Sequence, residues 1–216
     1  MKTAPSPSLP HGFLYKPEYL GPDAQKTLID AVAAAVRGNA PFYRPSMPRT
    51  GQPLSVVMSN FGPLGWVTDK DKGYRYQATH PKTGKTWPPM PDILLETWNT
   101  LTHYPAPPDA CLINWYQEGS KMGMHIDRDE YDLGAPIVSI SLGDKARYRL
   151  GGPERGGTTM SLKLSSGDVV VLADHARKCY HGVDKIFYGS SRLVPKGGRI
   201  NLTLRRVNKI DHKGNI

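Results

Sequence analysis

The sequence predicts a mainly β fold, an antiparallel sandwich or jelly roll with two flanking helices. Three observations point there. Beyond Ala110 the chain breaks into short apolar or alternating runs, each bounded by Gly, Pro, Asp or Ser. Glycine (22) and proline (20) are abundant among 216 residues while hydrophobic residues make up only 38%, which suits strands and turns better than a helical bundle. Helical periodicity is clear in two segments, both before Ala110.

The elements follow in order. Residues 1–20 open with MKTAPSPSLPHGFLY and read as a loose proline-rich tail without the apolar core of a secretory signal. The first helix spans residues 23–37: Asp23 is its candidate cap, Leu28, Val32 and Val36 share a face, and Gly38 can end it. Residues 42–90 are rich in Pro, Gly, Lys and aromatics and read as hairpins and loops. A second helix spans 91 to about 103, with Pro91 in its first turn and Leu94, Trp98 and Leu101 on one face. Strands are expected at 112–116, 137–142, 147–150, 160–164, 168–172, 178–183 and 200–207. No internal repeat and no second domain is evident. A chain of this length buries roughly 70% of its unfolded surface.

Composition narrows the function classes. No apolar run approaches the ~20 residues of a membrane span. Cys111 and Cys179 have no close pairing, so a reducing cytoplasm is the expected compartment. The net charge of +9 suggests a polyanionic partner, and from residue 177 onward ten Lys/Arg face two Asp. The alternative is a solvated surface that is merely basic.

The chemistry-bearing residues lie in the strand region. In a strand, His125 and Asp127 project to one side and Ile126 to the other, so a small ion can reach both. A lone His-x-Asp recurs by chance. His181 sits on a different expected strand and taken alone would be an ordinary half-buried histidine. Together the three can form the 2-His-1-carboxylate face of a non-haem iron(II) site, with zinc as the competing metal. Arg199 and Arg205 lie six apart, so on a strand they share a face with Asn201 and Thr203 while Ile200, Leu202 and Leu204 form the apolar face. Two inward arginines are costly unless an anion sits between them, and each can grip a carboxylate through two parallel hydrogen bonds. Asn114 and Tyr116 share a face on the 112–116 strand and can add hydrogen bonds to such a ligand. The competing reading is a solvated strand face. Gly84-Lys85-Thr86 ends like a phosphate loop but lacks its leading glycine and strand.

The run LINWYQEGSKMGMHIDRDE, followed by APIVSISLG, GDVVVL, YHGV and RINLTLR, resembles the AlkB family of iron(II)/2-oxoglutarate-dependent dioxygenases, specifically its bacterial-type nucleic-acid demethylases. The likeness covers about residues 54–207. It implies a double-stranded β-helix (jelly-roll) core over 111–207, helices and a nucleotide-recognition lid over 21–110, and a short C-terminal tail over 208–216. Carried over, His125, Asp127 and His181 are the iron ligands. Arg199 pairs with the distal carboxylate of 2-oxoglutarate, Arg205 lies near the carboxylate closest to the metal, and Asn114, Tyr116 and Asn201 add contacts. In MSNFGPLGW, Trp66 stacks on a flipped base against His125. Met58, Tyr74, Tyr76, Leu112, Asp129, Glu130 and Arg155 line the base pocket or touch the strand. The chain departs from the family by an extra residue at DKDKG, between Trp66 and Tyr74, and by Trp115 and Leu172.

The resemblance implies repair of 1-methyladenine and 3-methylcytosine in single- or double-stranded DNA. Iron(II), 2-oxoglutarate and O2 are consumed or bound, the methyl group is hydroxylated and formaldehyde is released. Physically, a base must leave its stack to reach a buried oxidant, an aromatic ring compensates part of the lost stacking, and a cationic base favours a π face beside a carboxylate. The resemblance also implies a monomer. The alternatives are an RNA or tRNA demethylase of the same mechanism, a non-catalytic nucleic-acid binder that keeps the fold, and a jelly-roll isomerase using a divalent metal.

Overall fold

A computed structural model describes residues 9–210. Among them are twelve strands and two α-helices. The expected tails at 1–8 and 211–216 lie outside the described residues.

The largest sheet has six antiparallel strands. Its order is β1 (Phe13–Lys16), β10 (Val169–Leu172), β7 (Ile137–Gly143), β12 (Arg199–Arg205), β5 (Ala110–Tyr116) and β2 (Val57–Phe61). A four-stranded sheet faces it, in the order β6 (Met122–His125), β11 (His181–Phe187), β8 (Lys145–Leu150) and β9 (Met160–Leu164). A separate hairpin joins β3 (Gly65–Asp69) to β4 (Gly73–Gln77). Two facing antiparallel sheets are the jelly roll expected from the strand pattern.

Strand alternation divides the interior in two. Cys111 and Ile113 of β5, Val138, Ile140 and Leu142 of β7, and Ile200, Leu202 and Leu204 of β12 face α1 (Pro22–Arg37) and α2 (Asp92–Thr102), whose Leu28, Val32, Leu94 and Trp98 complete that core. Their neighbours Leu112, Tyr116 and Ile137 face the smaller sheet and meet Tyr148, Leu150 and Val183. Burying one large aliphatic side chain contributes about 1.5–3 kcal/mol.

Several expectations need correction. The tail predicted at 1–20 is partly a strand: Phe13 to Lys16 pair with Leu172 to Val169 and close one edge of the large sheet. Asp23 does not cap α1. Gly21 is the N-cap, without a side-chain hydrogen bond, and Asp23 lies in the first turn near the positive helix end. Pro91 is the N-cap of α2 rather than a first-turn residue. The strand predicted at 178–183 begins at His181, because Ala176–Lys178 form a 3-10 turn, and it continues to Phe187. The 42–90 segment supplies β2 to the main sheet as well as a hairpin. The DKDKG departure lies at the tip of that hairpin, where Asp69 accepts from the backbone N–H groups of Asp71 and Lys72.

Candidate active site

Three side chains converge between the sheets. His125 ends β6 and His181 begins β11, and the two are register partners. Gly182 permits the close approach of these strands, since a Cβ there would lie 2.7 Å from the Met122 carbonyl oxygen. The imidazole centroids are 4.6 Å apart. Asp127 lies beyond the end of β6, so the expectation of a single strand carrying both His125 and Asp127 is corrected; the turn brings its Oδ1 to 3.5 Å from His125 Nε2. One ligand atom from each of the three residues lies within 4.8 Å of the others.

The second nitrogen of each histidine fixes which one is free. His125 Nδ1 donates to the Gly123 carbonyl at 2.8 Å and His181 Nδ1 to the Cys179 carbonyl at 3.2 Å. A carbonyl only accepts, so both Nδ1 atoms carry hydrogen and both Nε2 lone pairs face the cluster. Burial and the neighbouring His125 depress the His181 pKa to about 4, so it is neutral at physiological pH. Burial also disfavours charge on His125, but the contact with Asp127 outweighs it and the pKa is raised. Burial alone would raise the Asp127 carboxyl; the Arg205 charge and the histidines hold it well below the usual carboxylate range. With a metal ion displacing any proton from His125 Nε2, two imidazoles and one carboxylate fit an iron(II) face.

The cluster forms part of the wall of a cavity of about 300 Å³. Inward residues of β5 and β12 form another part: Asn114, Tyr116, Arg199, Asn201, Thr203 and Arg205. Arg199 is 1% exposed, and its Nη2 donates to Ser141 Oγ at 2.9 Å while its Nε and Nη1 have no partner. Asn114 Oδ1 is also buried without a partner. An orphaned pair of guanidinium donors is costly in a dry interior, and a carboxylate gripped by two hydrogen bonds answers it. The residues therefore fit a dicarboxylate co-substrate through Arg199.

Arg205 differs from the expectation of a second free fork. Its Nε (3.1 Å) and Nη2 (2.7 Å) both donate to Asp127 Oδ2, and Nε also lies 3.3 Å from Glu130. It orients the Asp127 carboxylate so that the other oxygen faces the histidines.

The hairpin closes over the same cavity. Trp66 and Tyr74 lie diagonally across β3 and β4 with ring centroids 5.6 Å apart and planes 23° from parallel. Trp66 Nε1 donates to Asp129 Oδ2 at 2.7 Å, and Asn60 holds the Trp66 backbone through both its amide groups. Gly65 is required beside it, because a Cβ would strike the Trp87 ring at 2.4 Å. Met58, Leu112 and Asp129 also line the cavity. Glu130 reaches its wall but is only 6% exposed and is bound on all sides. It accepts from Tyr76 Oη at 2.5 Å and from Arg177 Nη2 at 2.8 Å, with Arg205 beyond. Tyr76 thus ties the hairpin to the loop carrying Asp127. Arg155 is not brought to the cavity and lies in the exposed turn between β8 and β9.

Sequence reasoning missed Arg177. Its three nitrogens donate to Glu130, to the Asp127 carbonyl at 2.6 Å and to the Ala135 carbonyl at 3.2 Å, so it braces the loop between the metal cluster and the hairpin. Its only signal was a lone arginine in the run before YHGV.

A jelly roll holding a His-Asp-His cluster beside an arginine with two unpartnered nitrogens is the arrangement of an iron(II)/2-oxoglutarate oxygenase, and a family model described as the 2OG-Fe(II) oxygenase superfamily matches residues 12–205. Within that class the chain is 51% identical over 198 residues to the alpha-ketoglutarate-dependent dioxygenase AlkB homolog of Caulobacter vibrioides (strain NA1000 / CB15N), covering 91% of this chain and 88% of that one. It is 42% identical over 178 residues to alpha-ketoglutarate-dependent dioxygenase AlkB of Escherichia coli (strain K12), covering 81% of each. The solved structure of OsALKBH1 matches with a TM-score of 0.77 at 27% identity, covering 93% of this chain and 99% of that one. The chain belongs to the AlkB family of dioxygenases, enzymes that use iron(II), 2-oxoglutarate and O2.

Proposed function

We propose that the protein demethylates N-alkylated nucleobases, 1-methyladenine and 3-methylcytosine, in DNA. The observation that carries this is a single cavity lined by both the His125–Asp127–His181 cluster and the Trp66–Tyr74 aromatic pair with Asp129. Relatives named DNA N(6)-methyladenine demethylase and tRNA demethylase support methylated nucleobases as the substrate class.

His125, Asp127 and His181 hold iron(II), and Arg199, Asn114, Tyr116 and Asn201 hold 2-oxoglutarate. When bound, these supply the oxidation: 2-oxoglutarate and O2 give succinate and carbon dioxide, the N-methyl group is hydroxylated, and formaldehyde leaves the restored base. Arg205 keeps Asp127 ionised and oriented. Met58 and Leu112 supply apolar walls that exclude water. Trp66 and Tyr74 offer π faces to a base removed from its stack, worth about 1–3 kcal/mol for one stacked base. Asp129, held by Trp66, places a carboxylate beside a base that methylation has made cationic. The same reading takes the protein as a cytoplasmic monomer. Among the described residues no helix is long and apolar enough to cross a membrane.

The test incubates the protein with iron(II), 2-oxoglutarate and an oligonucleotide carrying one 1-methyladenine. Succinate and repaired base should form in step. Loss of both with iron confirmed bound sinks the proposal. Single-stranded DNA, duplex and tRNA substrates assayed in parallel separate the DNA reading from an RNA demethylase.

A further inference from the structure

The two sheets treat their outer faces differently. The large sheet is covered by α1 and α2. The small sheet carries His125 and His181 on its inner face, while the outward side chains of β8, β9 and β11 are exposed or half-exposed. Five of those outward residues are basic: Lys145, Arg147, Arg149, Lys163 and Lys185.

Register shows how the charges are arranged. Lys185 of β11 is the direct partner of Arg147 of β8, and Arg147 is the direct partner of Lys163 of β9. Three cations therefore stand in one row across three strands. Lys145 and Arg149 flank the row on β8. Across β6, β8, β9 and β11 there is one carboxylate, Asp184, which takes Arg147 at 2.6 Å and Arg149 at 3.4 Å. Lys163 and Lys185 have no carboxylate partner among the described residues. Their ammonium groups instead lie 5.0 and 5.1 Å from the ring centroid of Phe187.

Like charges directly opposite on neighbouring strands are destabilising. This row would be relieved by an anion spanning it. At about 4.8 Å between strands the row is roughly 10 Å wide, and a duplex presents about six phosphates over that length. Lys185 also lies four residues beyond His181 on β11, about 13 Å along the strand from the metal cluster. A substrate of a few nucleotides fills the cavity without reaching the row, whereas a longer one can reach it.

We propose that the outward face of the small sheet, centred on Lys163, Arg147 and Lys185, is a second nucleic-acid contact that grips the sugar-phosphate backbone flanking the base in the cavity. The inference rests on the proposed nucleobase substrate. It assigns the face a sequence-independent role in affinity, separate from base recognition and chemistry.

The experiment compares the intact protein with K163Q/K185Q and K163E/K185E. It measures binding to a fluorescent 20-mer duplex carrying 1-methyladenine over a range of salt concentrations, and turnover of a 1-methyladenine trinucleotide. Expected are a roughly ten-fold loss of 20-mer affinity near 0.1 M salt in the glutamine pair and a salt slope shallower by about 2. The loss should be larger in the glutamate pair, with trinucleotide kcat/KM unchanged in both. Affinity and slope within two-fold of wild type in both pairs overturn the proposal while leaving the demethylase reading intact. A wild-type protein that demethylates neither substrate overturns both. Equal losses on the trinucleotide and the 20-mer also overturn it, since the effect would then lie in the cavity.

Discussion

At the scale of single residues, the two cavity arginines divide their labour. Arg199 keeps two donors free, while Arg205 spends its donors on Asp127. Arg199→Gln should raise the KM for 2-oxoglutarate by about 10- to 150-fold, the equivalent of a charge-assisted hydrogen bond, with iron binding retained. Asp127→Ala should abolish iron binding in an anaerobic titration and with it all succinate formation. Acidity should act through one histidine. Iron competes with protons for Nε2, and His181 stays neutral down to about pH 4, so its protonation does not set the limit. The raised pKa of His125 means that iron affinity should start to fall at a pH above an ordinary histidine's pKa, and a histidine-specific pH titration of iron binding checks this. Strand periodicity put His125, His181 and Arg199 on strands, and the family resemblance, not periodicity, joined them in one expected site. The interior roles of Arg177 and the buried Glu130 were not legible, since a charge becomes interior only through partners such as Ala135 and Tyr76, 42 and 54 residues away along the chain. Arg177→Met should cost about 3–5 kcal/mol in urea unfolding, and combining it with Glu130→Gln should recover part of the loss.

At the scale of elements, local pattern sufficed for both helices and most core strands, where alternation and apolar stripes agree with burial. It failed at β1, which is four residues long and half-exposed. Its strand character comes from pairing with Val169–Leu172, and from Asp168, which accepts from Tyr15 Oη and the Glu18 backbone. Deleting residues 1–16 should leave β10 as an open apolar edge, seen as lowered solubility and a lower Tm. The hairpin was legible in composition but not in its docking. Trp66 is held by Asn60 and Asp129, neither of which adjoins it in the chain. Trp66→Ala should weaken binding of the methylated oligonucleotide by about 1–3 kcal/mol in a fluorescence titration while leaving 2-oxoglutarate affinity unchanged.

At the scale of the whole molecule, the site is a joint between sheets. The histidines belong to the small sheet and Arg199 and Arg205 to the large one. Iron(II) and 2-oxoglutarate together should therefore stabilise the entire fold. Each ligand at a hundred times its Kd adds about 2.7 kcal/mol, a Tm rise of roughly 5–11 °C by anaerobic scanning calorimetry, and Asp127→Ala should lose the iron contribution. The charge pattern was only half legible. The basic excess after residue 177 pointed to a surface, yet Arg177, Arg199, Arg205 and Arg206 are all buried. The exposed row of Arg147, Lys163 and Lys185 is assembled from three strands, because side-chain direction and alignment in a sheet depend on register, which composition does not contain.

The alternation of β12 also governs how this enzyme can change over generations. Ile200, Leu202 and Leu204 face the helices while Arg199, Asn201, Thr203 and Arg205 face the cavity. A one-residue insertion or deletion would exchange the two sets, burying arginines under α1 and α2 and lining the cavity with aliphatics. Descendants of this chain can vary β12 by substitution but not in length. The β3–β4 tip, exposed and turned by Gly73 at φ +67°, carries no such constraint, so changes in substrate range that require extra residues have their open route there.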